Sequence, residues 1–142
     1  FSSNFYQDKL HLVLQIDSTT ENFQSNHEPN SYPWICFEFT KHKIIPSNYT
    51  IRSSKTSYTN YYFPRSWVIE DSNNKSSWTN LDQQNDCTFI KGSNLVHTFQ
   101  IQNQNQNEYK YIKMRLTSPS WGEYSDNCRL LFASIEFYGE LI

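Results

Sequence analysis

The chain has 142 residues and a formal net charge of −2, enough for one domain with its own core and without the basic block that a nucleic-acid binder carries. Mean hydropathy is −0.75, and no apolar run approaches the roughly 20 residues of a membrane span. Phe, Tyr and Trp make up 17% of the residues, which excludes a disordered chain, because such chains are poor in aromatics.

The dominant pattern is period-two alternation, the mark of half-buried strands. "KLHLVLQI" opens the series, and residues 18–33 follow as a long loop. "WICFEF" sets Ile35, Phe37 and Phe39 against Cys36 and Glu38, and "TKHKIIPS" reads as a turn. "YTIRSS" sets Tyr49, Ile51 and Ser53 against Thr50 and Arg52, ahead of a second long loop, 54–64. "SWVIED" sets Trp67 and Ile69 against Val68 and Glu70. The polar turn "DSNNKSS" then leads to a short strand around "WTNL". Trp67 and Trp78 are expected to pack in the core across this hairpin, and Trp34 to pack in the core or at its strand start. Residues 83–95 form a third long loop before "VHTFQI", where Phe99 pairs with Ile101. "QNQNQNE" is a solvated turn. "YKYIKMRL" sets Ile112, Met114 and Leu116 against Tyr111, Lys113 and Arg115. A fourth loop, 118–129, precedes "LLFASIEFYG", with Ile135 and Phe137 against Glu136 and Tyr138. About eight short strands with turn signals and no amphipathic helix predict an all-β sandwich or barrel.

With strands running alternately up and down, the short polar connections fall at one end and the four long ones at the other. The long loops carry Phe23, Tyr32, Tyr58, Tyr61, Tyr62, Phe89, Trp121 and Tyr124. Long loops on a rigid scaffold are where binding residues gather, and an exposed aromatic stacks on a sugar or anchors a protein partner at little entropic cost. The candidate ligand-binding residues are therefore Trp121, Tyr61 and Tyr62, followed by Tyr124, Phe23 and Tyr32. His27, in the first loop, is a candidate donor to a sugar hydroxyl.

Nothing points to catalysis or a cofactor. Three glycines form no phosphate loop, and four histidines lack ligand spacing. Asp82, Asp86 and Asp126 make no ligand-spaced cluster for calcium, so no metal is expected. Glu38, Glu70 and Glu136 share the outward face with Arg52, Lys113 and Arg115, as in ordinary cross-strand pairing. The loops hold only Lys55, Lys91 and Arg129 as cations, which disfavours membrane insertion. Three cysteines (Cys36, Cys87 and Cys128) are an odd set without C-x-x-C spacing. They read as free thiols in a reducing compartment. The sequons at Asn48 and Asn74 are no more than an Asn- and Ser-rich chain yields by chance.

Four segments in order resemble the discoidin domain, also called coagulation-factor 5/8 type C, of the galactose-binding-like jelly rolls. They are Pro64-Arg65-Ser66-Trp67, then Ser72-Asn73-Asn74 with Trp78, then Tyr111-Ile112-Lys113-Met114, then Glu136-Phe137-Tyr138-Gly139. The resemblance spans roughly residues 10–142. It implies a jelly-roll sandwich of about eight antiparallel strands that binds sugars, lipid headgroups or proteins through loops at one end, without catalysis. Two features depart from the pattern. No cysteine lies near either end to tie the termini, and Lys75 replaces the turn glycine. The absent disulfide and segments such as "PNSYPWICFEF" and "SWGEYSDNCRLLFASIEFYGEL" are similar to an intracellular branch that follows BTB domains in adaptor-like proteins. The expected function is thus a cytoplasmic protein-interaction module, with 1–142 a single domain of a longer protein. The alternative is a carbohydrate-binding module of a secreted or surface protein, with a glycan as partner. A third reading places the domain beside a catalytic region elsewhere on the chain.

Overall fold

The computed structural model describes residues 12–17, 23–58 and 61–142. His11, the start of the opening strand and part of the first loop lie outside them. The strands are β1 (Leu12–Asp17), β2 (Phe23–Gln24), β3 (Trp34–Glu38), β4 (Ile44–Arg52) and β5 (Trp67–Ser72), then β6 (Thr79–Gln84), β7 (Val96–Gln100), β8 (Tyr111–Leu116), β9 (Leu131–Phe132) and β10 (Ser134–Leu141). One four-stranded sheet runs β1-β10-β4-β7 and a second β3-β8-β5-β6, with β2 and β9 pairing separately. All pairings are antiparallel. The fold is the expected jelly-roll sandwich. Its eight main strands are those the alternation marks, and the two-residue β2 and β9 are too short to show a period.

The core lies between the sheets. Tyr49, Ile51, Phe99, Ile135 and Phe137 project from the first, and Trp67, Ile69, Ile112, Met114 and Leu116 from the second. Trp67 is fully buried and meets Phe99 edge-on at 5.4 Å between ring centroids. A polar chain crosses this apolar interior. Trp67 Nε1 donates to Tyr49 Oη at 3.0 Å, and Tyr49 Oη donates to Asp82 Oδ2 at 2.5 Å. Burial first, and the Asp82 carboxylate second, push the Tyr49 phenol far above its ordinary pKa, so it remains a donor. The chain satisfies the indole and the phenol, which would otherwise be costly to bury.

Three expectations change. Strand β4 starts at Ile44, so half of "TKHKIIPS" is sheet rather than turn. Pro46 sits there opposite Gly139 at a register shift, a place where a missing N–H is tolerated. At Gly139 a Cβ would run into the Ile45 carbonyl. Trp34 is 56% exposed, because alternation turns it outward with Cys36 and Glu38. Trp78 is half-buried on the same outer face, its ring 3.7 Å from Lys113 Nζ. Of the hairpin tryptophans only Trp67 is core.

The turn between β5 and β6 is built by its polar residues. Ser72 Oγ accepts the Asn74 and Lys75 N–H groups at 3.1 and 2.9 Å. Asn74 Oδ1 accepts those of Ser76 and Ser77 at 2.8 and 2.9 Å. Lys75 has a φ of +63°, the left-handed conformation that favours glycine.

Candidate functional site

The four long loops meet at one end of the sandwich and are laced together by backbone hydrogen bonds. Trp121 N donates to Phe63 O at 2.9 Å, Cys87 N to Arg65 O at 2.8 Å, Glu28 N to Cys128 O at 2.9 Å and Asn94 N to Ser54 O at 3.0 Å. Residues distant in sequence thereby become neighbours on one surface.

At its centre is a run of tyrosines. The rings of Tyr58 and Tyr61 stack at 5.5 Å, those of Tyr61 and Tyr62 lie 4.9 Å apart, and Tyr62 and Tyr124 5.4 Å. They line a shallow cleft of about 490 Å³ with Gln24, Asp126 and Arg129. Tyr62 Oη donates to Asp126 Oδ1 at 2.8 Å, and Arg129 Nη2 donates to Asp126 Oδ2 at 3.0 Å. Arg129 also donates from Nη1 to Ser25 O at 3.3 Å, which anchors it to the first loop. The Tyr62 hydrogen bond, with Arg129 beside it, holds the Asp126 carboxyl below its usual range. Burial, then Asp126, raises the Tyr62 phenol. At neutral pH the cleft thus presents an ionised acceptor, a fixed guanidinium, phenol hydroxyls and ring faces. These are the groups that engage hydroxyls and the C–H faces of a pyranose.

Three of the seven sequence candidates, Tyr61, Tyr62 and Tyr124, come together here. Tyr58, Asp126, Arg129 and Gln24 join them. In the sequence Tyr58 stands among the loop aromatics outside the candidate set, and Asp126 among the carboxylates that make no calcium cluster. The other candidates are placed elsewhere. Phe23 stacks on Phe132 at 5.1 Å and belongs to the core edge, because β2 pairs with β9. Tyr32 packs against the core and lines a smaller cleft of about 360 Å³ with Trp34 and Glu28. His27 Nδ1 accepts the Cys128 N–H at 3.1 Å, which makes the ring a tie between two loops. Trp121 is half-buried outside the tyrosine cleft. Its Nε1 donates to Cys87 O at 2.9 Å, and Lys91 Nζ and Arg65 Cζ lie 3.9 and 4.4 Å from its ring. Asp86 is engaged by Arg65 at 2.6 Å. Among the described residues no group of His, Cys, Asp and Glu is arranged to hold a metal ion.

No family model and no curated protein sequence matches the chain. Solved structures do match in fold. The CBM32-3 module of a family 31 glycoside hydrolase from Clostridium perfringens is 15% identical, with a TM-score of 0.58, over 92% of this chain and 91% of that one. An F5/8 type C domain from Bacteroides fragilis is 14% identical, with a TM-score of 0.59, over 87% and 76%. A fucose-binding module from Streptococcus pneumoniae is 14% identical, with a TM-score of 0.53, over 95% and 99%. The chain therefore has the discoidin-like, galactose-binding-like fold.

Proposed function

We propose that this domain is a non-catalytic carbohydrate-binding module that holds a sugar in the tyrosine cleft. The observation that carries the reading is the Tyr58–Tyr61–Tyr62–Tyr124 run beside the Asp126–Arg129 pair. Ring faces there supply stacking, and a charged donor and acceptor supply fixed hydrogen bonds. Carbohydrate-binding and fucose-binding modules on the same fold support this class of ligand. The adaptor reading and its BTB-linked branch draw no such support. Among the described residues one carboxylate, Asp126, lines the cleft, whereas glycoside hydrolysis ordinarily needs a pair. The cleft is suited to hold a sugar and not to cut it. Residues 1–142 serve as one module of a longer protein.

A secreted or surface location follows from a glycan ligand, and the thiols are compatible with it. Cys36, Cys87 and Cys128 are free, with Cys87 and Cys128 buried. Burial raises the pKa of all three, so little reactive thiolate forms at neutral pH. Thiol titration of unreduced, unfolded protein should find three reactive groups, and native protein should react slowly. A count of one in the unfolded protein would reveal a disulfide and refute the free-thiol reading.

Binding is tested on a glycan array followed by calorimetry on the best neutral oligosaccharide. Tyr62→Ala and Tyr124→Ala should each weaken binding by about 30-fold, the range of an aromatic anchor. Tyr62→Phe keeps the ring and loses the Asp126 bond, so it should lose less. A melt checks that each variant remains folded. An array without any bound glycan, or affinity unchanged in Tyr62→Ala and Tyr124→Ala, would refute the proposal.

A further inference from the structure

A second aromatic cleft lies on the outer face of the β3-β8-β5-β6 sheet. It measures about 540 Å³ and is walled by Trp34, Trp78 and Tyr111, with Cys36, Lys113 and the carboxylate of Glu38 also in the lining and Lys75 at its rim. Lys113 Nζ lies 3.7 Å from the Trp78 ring and 5.8 Å from that of Trp34. The ammonium therefore packs against Trp78 and lies farther from Trp34. Lys75 Nζ lies 4.9 Å over the Tyr111 ring.

Charge on this face runs against the charge of the chain. Lys75, Lys110, Lys113 and Arg115 face two carboxylates, Glu38 and Glu70, an excess of two positive charges on a chain of net −2. Both carboxylates are occupied. Glu38 pairs with Lys110 at 3.3 Å, and Glu70 with Arg115 and Lys113 at 2.8 and 3.3 Å. Lys75 has no carboxylate partner among the described residues. It also occupies a left-handed turn position, which glycine adopts without the strain an L side chain meets. Lys75 thus holds its ammonium over an aromatic ring at the cleft rim with no opposing carboxylate to neutralise it.

We infer that this outer-face cleft is a second binding site, for an anionic sugar: a pyranose stacked against the exposed Trp34 with Trp78 beside it, its carboxylate or sulfate taken by Lys75 at the rim with the Lys113 charge behind. Indole faces bind the apolar side of the ring, and the ammonium groups select for negative charge. The inference does not rest on the tyrosine cleft, which shares no lining residue with this one.

Affinity electrophoresis of the whole chain through gels containing alginate, dextran sulfate or dextran tests it. Alginate presents carboxylates, dextran sulfate presents sulfates and dextran is the neutral control. Retardation is expected from at least one anionic polymer, not from dextran, and it should persist at about 0.15 M salt, where exposed long-range attraction is screened. Trp78→Ala and Lys75→Gly should each weaken it by roughly tenfold, and Tyr62→Ala should leave it unchanged. Lys75→Gly should melt no lower than the parent, because glycine suits the turn, so its loss of binding cannot be unfolding. Retardation by neither anionic polymer would overturn the inference. So would retardation that survives both Trp34→Ala and Trp78→Ala, which would be charge alone, or a parent dimer that Trp34→Ala dissociates in sedimentation, which would make the face a self-association surface. Failure of the tyrosine-cleft reading would appear separately, as neutral-glycan binding indifferent to Tyr62→Ala.

Discussion

Trp67→Ala is expected to destabilise the domain by about 3–5 kcal/mol, the usual cost of truncating a large buried aromatic. Trp67 has no exposed surface, and its neighbours on both sheets are locked in strands that cannot collapse into the cavity. The substitution removes the edge-on contact with Phe99 and the Nε1 donor to Tyr49. Tyr49 Oη keeps its bond to Asp82, so no donor is orphaned and the loss is mainly packing. Against a total stability of about 5–15 kcal/mol this is a large share, equivalent to roughly 10–15 °C in melting temperature for a chain of this length. Thermal and urea unfolding measure it. A melting temperature equal to that of the parent would mean that the sandwich is not assembled around Trp67.

Asp71→Asn is expected to do the reverse and stabilise the domain near neutral pH. Asp71 follows Trp67 and Ile69 on the inward face of β5, opposite Ile112. It is fully buried, and neither carboxylate oxygen has a hydrogen-bond partner. Burial pushes its pKa from 3.8 to about 8. Between those values the folded chain holds a proton that the unfolded chain releases. Stability from this group is therefore greatest below about pH 4 and falls as pH rises toward 8, by up to about 1.4 kcal/mol per pH unit. Asparagine carries no such proton and removes that slope. The variant should exceed the parent by about 2–4 kcal/mol at pH 8 and converge with it near pH 4, a difference bounded by the same linkage. Urea titrations of both proteins from pH 4 to 8 decide the matter. Parallel stability curves would show that Asp71 is solvated or paired in solution.

Much of this protein was legible in period-two alternation. That pattern placed Trp67, Ile69, Ile112, Met114, Leu116 and Phe137 inward, because successive side chains in a strand must point to opposite faces, and strands running alternately up and down gathered the long loops at one end. The same pattern already turned Trp34 outward, one residue before Ile35. For Trp34 strand phase outweighs the tendency of an indole to pack. Asp71 is the mirror case, since alternation with Trp67 and Ile69 sends it inward although its polarity suggests the turn. What only the tertiary structure decided lies where no period exists. Tyr124 and Trp121 are three residues apart in one loop, yet one joins the tyrosine cleft and the other is held by Cys87 and Lys91. Asp126 and Tyr62 meet across 64 positions. Trp78, just before β6, finds Lys113 only because the sheet places β8 two strands from β6. Loop conformation is set by hydrogen bonds between segments remote in sequence, and a local pattern carries no record of those partners.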